Sequence, residues 1–333
     1  MPETPLSILV TGATGFVGSF TARALLDAGH RVRAFVRNSE KAQRVLGEHE
    51  GLELHRGDIG DAASVRDALR GCDGVVHCAA LVAVGIAGDP DELLQANVAG
   101  VQNVIGAAID MGVERIVHVS SIATLFRGDG STLTEDSEPH ESKVPYGQSK
   151  VIAERYVRSL QAEGHPVKIV YPAAVIGPND PGFTEPLNAL RTFIQDFIPL
   201  TTAGMQFVDV RDVALSHRKI VESAPGPGRY LVAGTFLPWR ELADTLEAAS
   251  GRKLRRIPFP APMLRATGRF LELVRNVVDI ELPLNSEAAA YVTRWDAVPN
   301  SASLEAMGVT FHDVRQSIEE TVRWMRENGH LTG

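Results

Sequence analysis

The sequence predicts an α/β fold: a doubly wound parallel sheet in its first half and a smaller lobe in its second. Three observations carry this expectation. Short apolar runs alternate with stretches of helical periodicity over roughly the first half of the chain. The apolar runs are too continuous to leave one face in water, which calls for helices on both sides of a parallel sheet. A glycine-rich turn joins the first run to the first helical stretch.

Taken in order, Leu6 to Thr11 is a short strand, and Phe16 to Ala28 repeats apolar residues at helical spacing. Gly29 stands where a helix C-cap belongs, and Arg31 to Arg37 reads as the second strand. A polar helix leads to a third strand, Leu52 to Arg56. Asp61 is suited to cap a helix that runs to Leu69. Gly74 to Ala80 is a buried strand, Asp91 to Met111 a long helix, and Arg115 to Ser120 a fifth strand. A polar segment from Arg127 to Val144 then breaks the pattern and is expected to lie over the site. An amphipathic helix from Tyr146 to about Glu163 and a strand Val167 to Tyr171 follow. From Pro172 onward proline and glycine become frequent and the elements short: strands at Phe207 to Val210 and Tyr230 to Ala233, helices near Trp239, Met263 and Val314, and a turn at Pro225 to Gly228. The expected division is 1–172 and 173–333, with 207–222 and part of 230–234 packing back on the first part.

Composition narrows the function. The 333 residues are 44% hydrophobic, enough for a substantial core. A net charge of −8 without a basic run gives no footprint for a phosphate backbone, so no nucleic-acid partner is expected. No apolar stretch approaches the roughly 18 residues that span a bilayer, and Met1 to Ser7 lacks the basic and apolar regions of a signal peptide. No membrane contact and a cytoplasmic location are expected. Cys72 and Cys78 bracket a predicted strand, too far apart for a disulfide, and are expected to be reduced and buried.

Thr11-Gly12-Ala13-Thr14-Gly15-Phe16-Val17-Gly18 sets glycines three apart between a strand and a helix. Gly12 permits the tight turn, Gly15 a close approach to a pyrophosphate, and Gly18 close helix–strand packing, while the helix N-terminus presents N–H donors. The expectation is therefore a Rossmann-type sheet that binds a dinucleotide. The residue about 20 positions beyond the last glycine selects the cofactor, and here it is Arg37, followed by Asn38. An acidic residue would accept from a ribose 2′-OH. A guanidinium pairs with a 2′-phosphate, which favours NADP(H) over NAD(H), and Lys41 stands one turn further on. Asp58 and Ile59 suit an adenine edge and face, and Ala79 and Ala80 leave room for the ribose and pyrophosphate.

Tyr146-Gly147-Gln148-Ser149-Lys150 places a phenol and an ammonium four apart on one helix face. A phenol that titrates near 10 needs a neighbouring cation to exchange a proton with a carbonyl or alcohol near neutrality. Ser120 and Ser121 end the fifth strand at the edge where open sheets bind ligands, and either one suits the substrate oxygen. Asn97 is a poor helix former inside the long helix, so it reads as a polar post or a surface residue. No set of metal ligands stands out.

Together these stretches resemble the extended short-chain dehydrogenase/reductase family, of the NAD-dependent epimerase/dehydratase type: TGATGFVG, the GDI of Gly57 to Ile59, the HCAA of His77 to Ala80, the VSS of Val119 to Ser121, and YGQSK. The likeness covers roughly the first 215 residues. It implies Asn97, Ser121, Tyr146 and Lys150 as catalytic residues, with Ser121 preferred to Ser120. It also implies that Tyr146 and Lys150 touch the cofactor, and that Pro172, Ala173 and Val175 belong to a loop closing over the nicotinamide. Phe207 to Ala214 is similar to the family's returning strand and helix. Arg37 and the SSIA and PAAVIGP stretches look most like the branch of dihydroflavonol reductases, aldehyde reductases and 3β-hydroxysteroid dehydrogenases. That branch implies carbonyl–alcohol interconversion by hydride transfer on a small molecule. Ile122-Ala123 stands where sugar-nucleotide dehydratases carry an acidic pair, which disfavours dehydration. An NAD-retaining epimerase of nucleotide sugars and a non-catalytic dinucleotide sensor are the alternatives. A homodimer through the outer faces of helices 91–111 and 146–163 is open to such a chain. The segment beyond Leu215 carries no readable motif. Phe183, Phe193, Phe197, Met205, Phe207 and Phe270 are candidate pocket walls, with ordinary core packing the expected role.

Overall fold

The computed structural model describes residues 5–80, 90–142, 145–267 and 286–331. Seven parallel strands form the central sheet. Within it β1 (Ser7–Thr11) is flanked on one side by β2 (Arg31–Val36) and β3 (Leu52–Arg56). On the other side follow β4 (Gly74–His77), β5 (Arg115–Val119), β6 (Val167–Pro172) and β10 (Gly228–Val232). The chain order therefore reverses between β1 and β4, and this switch point opens a crevice at the carboxyl edge. Helices α1 (Phe16–Asp27) and α7 (Val210–Glu222) pack against each other, as do α3 (Ala62–Leu69), α4 (Pro90–Asp110) and α5 (Pro145–Ala162). Helix α2 (Ser39–Leu46) joins β2 to β3.

Local chemistry sets these limits. The C-cap of α1 is Ala28, and Gly29 stands one place beyond it at φ 89°. From there Gly29 N–H reaches Leu26 O at 2.8 Å and His30 N–H reaches Leu25 O at 3.1 Å, closing the helix in a Schellman motif. Asp61 caps α3 by accepting from Ala63 N at 3.0 Å. The strand read as Gly74 to Ala80 stops at His77, because Ala79 N turns out of the ladder and donates to Thr11 Oγ1 at 3.3 Å. Both cysteines are free thiols, but they are half-buried rather than buried.

No local sequence pattern announces what closes α7. Lys168 on β6 is buried and donates to Ile220 O at 3.0 Å, Ala224 O at 2.7 Å and Ser223 Oγ at 2.7 Å. Arg115 on β5 adds bonds to the carbonyls of Val221, Glu222 and Ser223. Two cations thus satisfy the orphan carbonyls and the negative dipole end of one helix. Burial, then Arg115, pushes the Lys168 ammonium down to about 8.

The second half builds a lobe on its own core. Strands β7 (Ala174–Ile176), β9 (Gly204–Asp209) and β11 (Thr235–Pro238) form a three-stranded sheet, and β8 (Ile198–Leu200) pairs with β12 (Arg256–Pro258). The strand predicted at Phe207 to Val210 is thus β9 of the small sheet, whereas the helix after it packs on α1. Around these lie α6 (Glu185–Gln195), α8 (Trp239–Ser250), α9 (261–267), α10 (Ser286–Arg294), α11 (Ala302–Ala306) and α12 (Val314–Glu327). Trp239, Phe207, Leu242, Ile318 and Met325 fill the core of this lobe, and Phe16 joins them from the head of α1. Among the candidate wall residues, Phe193 and Met205 pack against that core and Phe183 stacks on His330, while Phe197 is 37% exposed. Phe270 lies outside the described residues.

Three buried histidines have consequences for stability. His77 and His118 stack across β4 and β5 with centroids 5.8 Å apart, and His217 on α7 meets Thr21 Oγ1 at 2.9 Å. Burial pushes His77 and His217 down to about 3, with Lys150 adding to the effect at His77, and holds His118 well below the ordinary range. A folded value below the unfolded one of about 6.5 means that the unfolded chain takes up a proton the folded chain refuses. Stability is complete above pH about 6.5 and is lost as pH falls toward 3, by about 1.4 kcal/mol per pH unit for each such histidine. Denaturant unfolding between pH 7.5 and 4.5 is expected to show this fall, and His217→Gln to make it shallower by one proton. An equal slope in the variant would mean that His217 titrates normally in the fold.

Candidate active site

The β1–α1 turn is a cradle in which a side chain has no room. Gly12 has φ 68°, and a Cβ there would lie 2.8 Å from Ala79 N and 2.9 Å from Ala79 Cα. A Cβ on Gly18 would meet Gly12 O at 2.2 Å. Gly15 is the N-cap of α1, and among the described residues no side chain bonds the first-turn amides. Those of Phe16, Val17 and Gly18 are the orphan donors that a helix N-terminus offers to an anion. This is the arrangement a pyrophosphate needs. The Phe16 ring itself turns away into the second core.

Beside this turn lies a cleft of about 310 Å³. Gly12, Thr14 and Gly15 line it together with Ala79, Ala80, Asp58 and Ile59, and the exposed Arg37 and half-buried Lys41 line it on the rim side. Six residues predicted for the adenosine end thus meet at one cavity with the turn. Phe35, Val36, Gly60, Cys78 and Ala96 also line it and were not singled out from sequence. Their only signal was adjacency: Val36 ends the second strand, and Cys78 lies between His77 and Ala79. Burial pushes the Cys78 thiol up to about 12.

Each wall is braced. One Asp58 oxygen accepts from Gly60 N at 2.8 Å, which fixes the turn after β3. Asn103 Nδ2 donates to Ile59 O at 2.8 Å, and Gly100 leaves space for the Ile59 side chain. Asn38 caps α2 through Lys41 N at 2.9 Å, setting the direction of the helix that carries Lys41. Arg37 is exposed, and no ion pair among the described residues includes Arg37 or Lys41.

The predicted catalytic residues lie farther along the carboxyl edge. Ser121 follows β5, and its Oγ accepts from Ala123 N at 3.2 Å at the head of a short 3₁₀ turn, Ile122–Leu125. Its O–H proton remains available to donate. Ser120 is buried, and its hydroxyl has no partner among the described residues. Asn97 is buried within α4 and donates from Nδ2 to Ser149 Oγ at 3.2 Å. It therefore grips α5 one residue before Lys150. Tyr146 is placed in the first turn of α5 by its backbone, its side chain lying outside the described set. Lys150 is half-buried on the same helix. Pro172 ends β6, Ala173 N donates to Val232 O at 3.2 Å, and Val175 is half-buried in β7. These three and Lys150 stand outside the adenosine cleft. Residues 127–142 make no regular element beyond the turn, and they are tied down by His140 N to Thr124 O at 2.8 Å and by Glu135 to Ser301. Among the described residues no cluster of His, Cys, Asp or Glu is arranged to hold a metal, and no helix is long and apolar enough to cross a membrane.

Known proteins share this architecture. The chain is 32% identical to cinnamoyl-CoA reductase 1 of Oryza sativa subsp. japonica, over 97% of this chain and 91% of that one. It is 33% identical to the 2-alkyl-3-oxoalkanoate reductase of Stenotrophomonas maltophilia, over 74% and 76% of the two chains. The crystal structure of gox2253 superposes with a TM-score of 0.84 at 27% identity, covering 99% of this chain and all of the other. The sequence model of the NAD dependent epimerase/dehydratase family matches residues 8–233, and the chain belongs to that family.

Proposed function

We propose that the chain is an NADP(H)-dependent reductase that interconverts a carbonyl and an alcohol on a small, largely apolar molecule. The observation that carries the cofactor choice is the rim of the cleft. Arg37 directly follows β2 there with no acidic partner among the described residues, and Lys41 lines the same cavity. Two cations in that position suit a 2′-phosphate, with Arg37 able to bond it bidentately. The second oxygen of Asp58 is open to an adenine amino group, the α1 amides hold the pyrophosphate, and Lys150 holds the nicotinamide ribose. When bound, the dinucleotide supplies or accepts the hydride.

The remaining work falls to side chains at the carboxyl edge. Ser121 donates its proton to the substrate oxygen while one of its lone pairs accepts from Ala123 N–H. Tyr146 gives that oxygen a proton during reduction and takes it back during oxidation. Lys150 stabilises the phenolate left behind. Asn97 steadies the helix at Ser149. Ile122 and Ala123 offer no carboxylate for elimination. The relatives named as reductases support this choice of chemistry.

Titration calorimetry is expected to show NADPH bound at least about tenfold more tightly than NADH, and Arg37→Ala to erase the difference. Gly12→Ala is expected to abolish binding of both, since the added carbon meets the Ala79 backbone. With NADPH and a panel of aliphatic and aromatic aldehydes and ketones, Tyr146→Phe is expected to lower turnover by about 10²- to 10⁴-fold. Tight NADH binding indifferent to Arg37, or undiminished turnover by Tyr146→Phe, would contradict the proposal.

A further inference from the structure

Tyr146, Lys150, Glu154 and Arg158 follow one another at four-residue spacing along α5, so each position neighbours the next along one ridge of the helix. The last two do not face water. Glu154 is 0% exposed and Arg158 is 8% exposed. Glu154 Oε1 accepts from Arg158 Nε at 2.8 Å and from the Tyr171 hydroxyl. Arg158 Nη2 donates to the same Tyr171 oxygen at 3.0 Å and to Ser137 O at 2.9 Å. Burial, then Glu154, holds the Tyr171 phenol far above its ordinary range, so its proton stays in place as a donor.

Each partner belongs to a segment that bears on the site proposed above. Ser137 lies in the irregular stretch that leads into the first turn of α5, where Tyr146 stands. Tyr171 is followed directly by Pro172 and Ala173, which carry the chain from the central sheet to β7. The network thus pins the helix, the segment before it and the end of β6 at one buried point, one turn beyond Lys150. A buried ion pair earns little stability by itself, because desolvation offsets the attraction, and well-packed apolar side chains often do as well. What it fixes is geometry. A displacement of about 1 Å in a proton donor costs up to about 100-fold in rate.

We propose that Glu154 and Arg158, with Tyr171, are positioning residues that set Tyr146 and Lys150 against the nicotinamide-facing end of β6. This rests on the catalytic reading given above. The test compares Glu154→Gln, the double variant Glu154→Gln/Arg158→Met, Tyr171→Phe and the control Tyr146→Phe. For each, the thermal midpoint, NADPH affinity, emission of bound NADPH, amide exchange over residues 134–142, and kcat on the panel carbonyl that wild type reduces fastest are measured. Glu154→Gln removes the close carboxylate partner of Arg158 and leaves it only the longer ion pair to Glu138 at 3.8 Å, so it is expected to lower the midpoint. The double variant removes that charge and is expected to recover the midpoint but not kcat. In both, kcat is expected to fall about 10- to 100-fold, with NADPH affinity within about twofold, faster exchange at 134–142 and altered emission of the bound nicotinamide. A folded double variant with wild-type kcat, exchange and emission overturns the proposal. Where the double variant does not fold, Tyr171→Phe decides: reduced kcat at unchanged affinity supports the proposal, and wild-type kcat overturns it. If Tyr146→Phe is inactive while the folded Glu154 variants turn over like wild type, positioning alone fails. If Tyr146→Phe turns over like wild type, the catalytic reading falls and this proposal falls with it.

Discussion

Two glycines hold the crossing at the head of the sheet, where the backbone of the β1–α1 turn lies directly on the backbone after β4 and on the first turns of α1. Gly12 leaves under 3 Å between a hypothetical Cβ and Ala79, and Gly18 leaves less still to Gly12 O. Because no side chain stands between these segments, β4 ends early, Ala79 bonds Thr11, and the N-terminus of α1 points into the crevice with its amides free of side-chain caps. The cleft and the open amides beside it both depend on that close approach. A methyl group at either position would separate the segments and remove the site.

Charge is distributed according to what each part has to hold. At the rim, Arg37 and Lys41 stand without acidic partners among the described residues, which suits a ligand phosphate. In the core, Lys168 and Arg115 are bound to the carbonyls that end α7, and Glu154 is bound to Arg158 and Tyr171. The imidazoles of His77, His118 and His217 stay neutral because burial disfavours their charged forms. Paired charge fixes geometry inside the molecule, and unpaired charge at the cleft is available for recognition.

The first lobe was legible in the sequence because its determinants are local. Strand and helix periods, the Gly12-Gly15-Gly18 spacing, the Asp61 cap and the position of Arg37 are all set by neighbours in sequence, and most elements appear within a few residues of where the periodicity puts them. Boundaries slipped where a long-range bond intervened, as at Ala79. The second lobe was less legible. Short strands such as Ile198–Leu200 and Arg256–Pro258 pair only with each other and have no periodicity to announce them. The transfer of β9 to the small sheet depends on β7 and β11, whose Ala174 and Thr235 pair with Phe207 from 33 residues before it and 28 after, rather than on its own residues. Within the site, glycines and cations could be read, but the bracing could not. Asn103 on Ile59, Asn97 on Ser149 and Arg158 on Ser137 join elements 21 to 52 residues apart in sequence.

A crystal structure of the chain grown with NADP⁺ tests the central claim most directly. The account predicts the pyrophosphate on the amides at the head of α1, the 2′-phosphate within hydrogen-bond distance of Arg37 and Lys41, and the nicotinamide ribose against Lys150. A dinucleotide bound elsewhere, or one whose 2′-phosphate faces solvent while Arg37 turns away, would contradict it.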